Sequence, residues 1–152
     1  MTAAVITAVS MRLLGLFLMA QTAAITACGG APPEKVVRNG LEITADRPHY
    51  RAGGPLTITI RNSREDTVSF NPCTRTLETQ RDGKWIAVPE PARICTMEAW
   101  LLAPGETRAG PTELPADLVA GRYRAVLGFS AGSGEHAAGK LEARTAPFTV
   151  ER

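Results

Sequence analysis

Leu56-Thr57-Ile58-Thr59-Ile60-Arg61 alternates apolar and polar residues in strict turn. Successive side chains of a β-strand point to opposite faces, so this stretch puts Leu56, Ile58 and Ile60 on one face and its polar residues on the other. On a helix, Ile58 would fall opposite Leu56 and Ile60, and the apolar face would be lost. The β-branched residues also suit a pleated, half-buried surface. The stretch therefore reads as a strand with one face against a core.

The same pattern continues on both sides. Upstream, Leu41-Glu42-Ile43-Thr44-Ala45 alternates until Asp46 to Gly54 interrupts it with Pro48 and Gly53-Gly54. Downstream, Asn62 to Asp66 is a polar turn, and the next strand, from Val68 and Phe70, stops at Asn71-Pro72. Thr74 to Gln80 and Trp85 to Val88 flank Arg81-Asp82-Gly83-Lys84, a hairpin signal because glycine accepts positive φ cheaply. Pro89-Glu90-Pro91 ends that pair, since proline cannot donate to a ladder. Ile94 to Leu102 leads into the turn dipeptide Pro104-Gly105, and Gly121 opens a long β-type run through Phe129. Ser130 to Gly139 is a small-residue loop, and Leu141 to Val150 closes the chain.

Only Pro115 to Ala120 reads as a helical turn. Short strands about every ten residues predict an all-β fold, an antiparallel sandwich or barrel of about seven strands. Its inward positions should include Ile43, Leu56, Ile58, Ile60, Phe70, Leu77, Leu102, Tyr123, Ala125, Leu127 and Phe148. Arg122, Arg124, Thr57 and Thr59 should face water or the partner sheet.

The 152 residues carry 17 basic and 15 acidic side chains, which fits one domain and excludes the basic stripe of a dedicated nucleic-acid binder. The N-terminal stretch has a different character. Arg12 is its one charge before Cys28, Leu13 to Ala20 is an unbroken apolar run, and Ala and Thr dominate Thr22 to Ala27. A basic start, a short apolar core and small residues make a secretory signal peptide over residues 1–27. The apolar run is too short to span a bilayer, which takes about 20 residues. Met11-Arg12 would by itself begin a compact signal, so Met11 is a candidate true start.

Ile25-Thr26-Ala27-Cys28-Gly29 resembles the lipobox of bacterial lipoproteins. The resemblance implies that Cys28 is lipidated and becomes the first mature residue, with the membrane as a partner through that lipid. Gly29 stands where an Asp would resemble inner-membrane retention, so the outer membrane is favoured for a Gram-negative source. A lipid-modified terminus with several chains is a stable anchor. Residues 28–39, with Gly29-Gly30-Ala31-Pro32-Pro33, read as a flexible tether, and 40–152 as the folded domain. Cys73 and Cys95 then remain as an even pair in an oxidising setting, and a disulfide is the expected outcome. It would close a loop of 23 residues, stabilising by about 3.4 kcal/mol on the chain-entropy estimate.

The order of landmarks resembles the bacterial immunoglobulin-like domains of cell-envelope lipoproteins. They are Tyr50-x-x-Gly53, Leu56 to Ile60 with Asn62, Leu77-Glu78, Asp82-Gly83-Lys84-Trp85, Leu102-x-Pro104-Gly105, Leu114-Pro115, Gly121-x-Tyr123-Arg124 and Phe148-Thr149-Val150. The resemblance covers residues 41–150 and implies an immunoglobulin-like antiparallel β-sandwich. It places Tyr50 and Gly53 in a turn between two strands, and implies a tyrosine corner at Tyr123, its hydroxyl bonded to backbone. A weaker resemblance is to the fold of the bacterial intracellular proteinase inhibitor. Cys73 and Cys95 are too close in sequence for the inter-sheet pair of antibody domains and should tie a strand end to the loop after Trp85. These landmarks are scaffold, so they speak to fold.

Signals for chemistry are weak. Gly128-Phe129-Ser130-Ala131-Gly132 matches G-x-S-x-G, but a nucleophile elbow needs a strand–turn–helix setting, and here a Gly/Ser loop follows. His49 and His136, with Met97, lack the spacing of a metal site. No catalytic residue, metal or cofactor is expected. Arg93, Ile94, Met97 and Trp100 surround Cys95, and a disulfide-pinned loop carrying them is the candidate binding surface, since Trp is enriched at interface hot spots. The expected function is a lipid-anchored, extracytoplasmic, non-catalytic module that binds an envelope protein and no nucleic acid. The alternatives are a protease inhibitor acting through an exposed loop and a small-ligand or metal-binding envelope protein.

Overall fold

The computed structural model describes residues 34–90, 94–132 and 139–152. The expected signal peptide, Cys28, Arg93 and His136 lie outside the described residues. The described residues form twelve strands: β1 Val36–Arg38, β2 Leu41–Ala45, β3 His49–Arg51, β4 Pro55–Asn62, β5 Val68–Phe70, β6 Thr76–Arg81, β7 Lys84–Ala87, β8 Trp100–Leu102, β9 Thr107–Glu113, β10 Gly121–Ala131, β11 Lys140–Arg144 and β12 Phe148–Glu151. One 3-10 turn, Pro72–Thr74, sits between β5 and β6. The first sheet runs β1-β2-β4-β9, and the second runs β3-β12-β10-β5-β8, with β11 and β6 also on β10 and β7 on β6.

β4 carries the alternation through to packing. Leu56, Ile58, Ile60 and Asn62 are buried, while Thr57 and Thr59 are partly exposed. Ile60 faces Ile43 across the β2 ladder and Ile58 faces Ala45. All eleven expected inward residues are buried. Burial of each large apolar side chain favours folding by about 1.5–3 kcal/mol, so the facing sets define one core between the sheets. Phe70 packs on Phe129 at 5.3 Å between ring centroids, and Tyr50 meets Phe148 edge-on at 5.0 Å. Asn62 is buried yet satisfied. Its Nδ2 donates to the carbonyls of Asp66 and Leu102, and its Oδ1 accepts from the Arg64 N–H, which ties the end of β4 to β8 of the other sheet.

β10 organises the second sheet and explains why the segments outnumber the expected strands. On one flank it pairs with β12 over Gly121–Tyr123 and then β11 over Val126–Ser130. On the other it pairs with β6 over Tyr123–Val126 and then β5 at Ser130–Ala131. Each flank is thus one strand in two pieces. Thr145 closes the gap on the first flank: its N–H donates to the Ala125 carbonyl, and its Oγ1 accepts from the Ala125 N–H, both at 3.0 Å. On the second flank the gap is Pro72–Thr74. The Tyr123 hydroxyl donates to the Val119 carbonyl at 2.7 Å, as the tyrosine-corner expectation required.

Several local readings need correction. Val36–Arg38 belong to the sheet rather than to a tether, because Asn39-Gly40 makes a two-residue hairpin with both residues at positive φ (54° and 72°). Asp82-Gly83 does the same (49° and 75°), as expected. Tyr50 lies in β3, which pairs in parallel with β12, so the fold is not purely antiparallel. Pro115 to Ala120 is a turn and not a helical segment. β9 is the strand that the Pro104-Gly105 turn was expected to precede, although Thr107-Arg108-Ala109-Gly110-Pro111-Thr112-Glu113 lacks alternation and contains proline. Its whole length pairs with Pro55 to Arg61 of β4, and it tolerates Pro111 because it is an edge strand.

Candidate functional site

Cys73 and Cys95 are joined, with Cα atoms 5.6 Å apart. Asn71 builds the base of this link. Its Oδ1 accepts from the Cys73 N–H at 2.9 Å, capping the 3-10 turn that Pro72 begins. Its Nδ2 donates to the Thr96 carbonyl at 2.6 Å. The loop between β7 and β8 is therefore held by one covalent and one hydrogen bond at adjacent residues. On it, Ile94 and Met97 are fully exposed, at 102% and 99% of their reference surface. Leu101, on edge strand β8, is also exposed. Trp100 turns the other way: it is partly buried, edge-on to Phe70 at 6.0 Å. The expected group thus divides into two exposed apolar residues and one that lines the interior.

Trp100 borders a cleft of about 340 Å³ between the sheets. Ile58, Ile60, Phe70 and Leu127 form its apolar part, and Arg75, Arg108 and Gly110 line it too. Arg108, opposite Ile60 on β9, donates from Nε to the Glu106 carboxylate at 3.0 Å, and its guanidinium lies over the Trp100 ring at 5.6 Å. Arg75 is buried. Its Nη2 meets the Glu90 carboxylate at 3.3 Å and the Glu113 carbonyl at 3.4 Å, and the other Glu90 oxygen accepts from the Leu77 N–H. Sequence reasoning passed over Gly110, Arg108 and Arg75, because their roles depend on which strands meet.

The residues weighed for catalysis and metal binding are scattered. Ser130 sits in mid-ladder on β10, opposite Ser69 on one side and Lys140 on the other, which is no nucleophile elbow. His49 is exposed on β3, its Nδ1 3.7 Å from the Glu151 carboxylate. Among the described residues no three His, Cys, Asp or Glu side chains converge to hold a metal. Arg124 is engaged by the Glu78 carboxylate at 2.6 Å and stacks over Trp85 at 4.3 Å.

Three carboxylates are tuned by local hydrogen bonds. Burial alone would raise the pKa of Asp46, but the Thr57 N–H, the Tyr50 hydroxyl and Arg47 hold it below its usual range. Burial, together with Asp46, pushes the Tyr50 hydroxyl up. Arg64 lowers Asp66, and the Ala103 N–H with Arg108 lowers Glu106. A carboxylate with a depressed folded-state pKa adds stability above its unfolded pKa and loses it as pH falls through the folded value. These groups should therefore leave stability flat between about pH 5 and about pH 9, with a decline below about pH 4, the unfolded carboxylate range, and another above about pH 10, where tyrosine ionises in the unfolded chain but Tyr50 is held neutral in the fold. Thermal melts of wild type and Asp46→Asn across that range check this; the variant should show a shallower acid limb.

Two sheets face to face around one core, closed by a tyrosine corner and pinned by the Cys73–Cys95 disulfide, define an immunoglobulin-like β-sandwich. The chain belongs to the bacterial Ig-like domain family, whose pattern matches residues 37–146. Among solved structures it is similar to a Northeast Structural Genomics Consortium target, at 21% identity over 78% of this chain and 79% of that one, with a TM-score of 0.45. It is also similar to the C-terminal domain of Wzt, at 16% identity over 81% and 80%, with a TM-score of 0.41. A third is the CsuC–CsuE chaperone–tip adhesion subunit complex of Csu pili from Acinetobacter baumannii, at 13% identity over 68% and 52%, with a TM-score of 0.42. No curated protein matches the chain. Family membership fits a non-catalytic binding or accessory module, and the disulfide fits an oxidising compartment.

Proposed function

We propose that the protein is a lipid-anchored, extracytoplasmic binding module of the bacterial envelope, with the disulfide-pinned loop as its recognition surface. The observation that carries this reading is the full exposure of Ile94 and Met97 on a loop fixed at Cys95 and Thr96. Holding large apolar side chains in water on a pre-ordered loop makes sense when a partner covers them, since ordering is then complete before binding. Cys28 supplies the anchor through its resemblance to a lipidated cysteine.

The test is crosslinking in the source bacterium followed by affinity capture, comparing wild type with Ile94→Glu/Met97→Glu and with Cys28→Ser. One dominant envelope partner should appear with wild type and fall at least tenfold with the double variant. Cys28→Ser should remain unprocessed or be released. Undiminished capture by the double variant would overturn the surface, and normal lipidation of Cys28→Ser would overturn the anchor. A captured protease would replace this reading with inhibition through the same loop.

A further inference from the structure

We propose that the cleft beneath β9 binds a small apolar carboxylate, with Arg108 taking the acid group and the space opposite Gly110 taking the apolar body. This goes beyond the partner surface and does not rest on it.

The cleft exists because of the inner face of β9. Arg108, Gly110 and Thr112 stand opposite Ile60, Ile58 and Leu56, the core-facing residues of β4. A Cβ built at Gly110 would meet nothing within 4 Å. The backbone there does not require glycine either, since its φ lies outside the left-handed region where glycine is favoured. A larger residue would fill the gap and gain dispersion contacts that glycine forgoes. The sequence instead leaves about 340 Å³ open, within the range of about 300–1,000 Å³ typical of small-ligand sites.

The lining dictates the ligand class. Its floor is Ile58, Phe70 and Leu127, with Trp100 beside them. Among the described residues, those charged in its lining are Arg75 and Arg108, and no carboxylate is among them. Arg75 is already engaged by Glu90 within the core. Arg108 is exposed, bound through Nε to Glu106, with its guanidinium over Trp100, so it stands between water and the apolar floor. Guanidinium suits a planar carboxylate, and the floor suits a hydrocarbon chain or ring.

A peptide strand is disfavoured as occupant. The backbone carbonyl of Thr57 accepts from the Asp46 N–H, on the β2 side. Its opposite number, Pro111, therefore directs its backbone away from β4, towards the free edge. There the missing N–H blunts strand addition.

Isothermal titration of the purified full chain with decanoate, below its micelle concentration, tests the proposal. Saturable one-to-one binding is expected, about tenfold tighter than decanol, as befits one charged hydrogen-bonded contact. Gly110→Leu should weaken decanoate at least tenfold while leaving the thermal midpoint unchanged or raised. Arg108→Gln should weaken it about tenfold and abolish the preference over decanol. No saturable binding, equal affinity for acid and alcohol, or indifference to both substitutions would overturn the site. Should Gly110→Leu fail to fold, the Arg108→Gln and decanol comparisons still decide.

Discussion

Glu90→Ala should destabilise the domain by about 3–5 kcal/mol, because it removes a carboxylate that faces the buried Arg75 guanidinium. The Arg75 side chain is 2% exposed and that of Glu90 11%, so neither is screened as a surface pair would be. Glu90 also accepts the Leu77 N–H, so the substitution removes that bond as well. The measurement is denaturant unfolding of wild type, Glu90→Ala, Arg75→Met and the double variant Arg75→Met/Glu90→Leu. Replacing both partners with apolar groups should restore most of the loss, since the desolvation of two charges disappears with their attraction. A cost below about 1 kcal/mol for Glu90→Ala would mean that water reaches the pair, as it does in exposed ion pairs. The pair also has a positional role. It ties the start of the loop after β7, at Glu90, to Arg75 in the lining of the cleft.

The sequence read well wherever a signal was local. Alternation in Leu56 to Ile60 named three core residues, Asp82-Gly83 named a hairpin, and Gly121-x-Tyr123 named a corner whose hydroxyl bond is present. Readings failed where pairing partners are distant. β3 is three residues long, and its partner is the C-terminal strand, so nothing near His49–Arg51 announces it. β9 was announced only by the Pro104-Gly105 turn before it, since Arg108, Gly110 and Thr112 opposite the core face of β4 give no apolar alternation, and Pro111 speaks against a strand until its edge position is known. The weakly apolar Val36–Arg38 fell within the expected tether, although Asn39-Gly40 turns them back onto β2. The disulfide was legible from cysteine count and compartment. The cleft was not, since it depends on Gly110 standing opposite Ile58, and on Arg75 and Glu90 meeting across 15 positions.

Reduction of the Cys73–Cys95 bond, or Cys73→Ser/Cys95→Ser, should lower stability by about 3 kcal/mol through the freed loop entropy of the unfolded chain. The midpoint of denaturant unfolding with and without reductant measures this. Asn71 should still cap the 3-10 turn, because its bonds to Cys73 N–H and Thr96 carbonyl involve no sulfur. The base of the loop would then persist while its covalent limit is gone. This makes the bridge separable from the surface it presents. Ile94→Glu and Met97→Glu change side chains already in water, so each should alter stability by less than about 0.5 kcal/mol while removing partner capture. Cysteine replacement should lower both stability and capture, because a loosened loop pays its ordering entropy on binding. Equal unfolding midpoints with and without reductant would mean that the thiols are not bridged in the purified protein. Capture that survives both cysteine replacements would mean that loop rigidity contributes nothing to recognition.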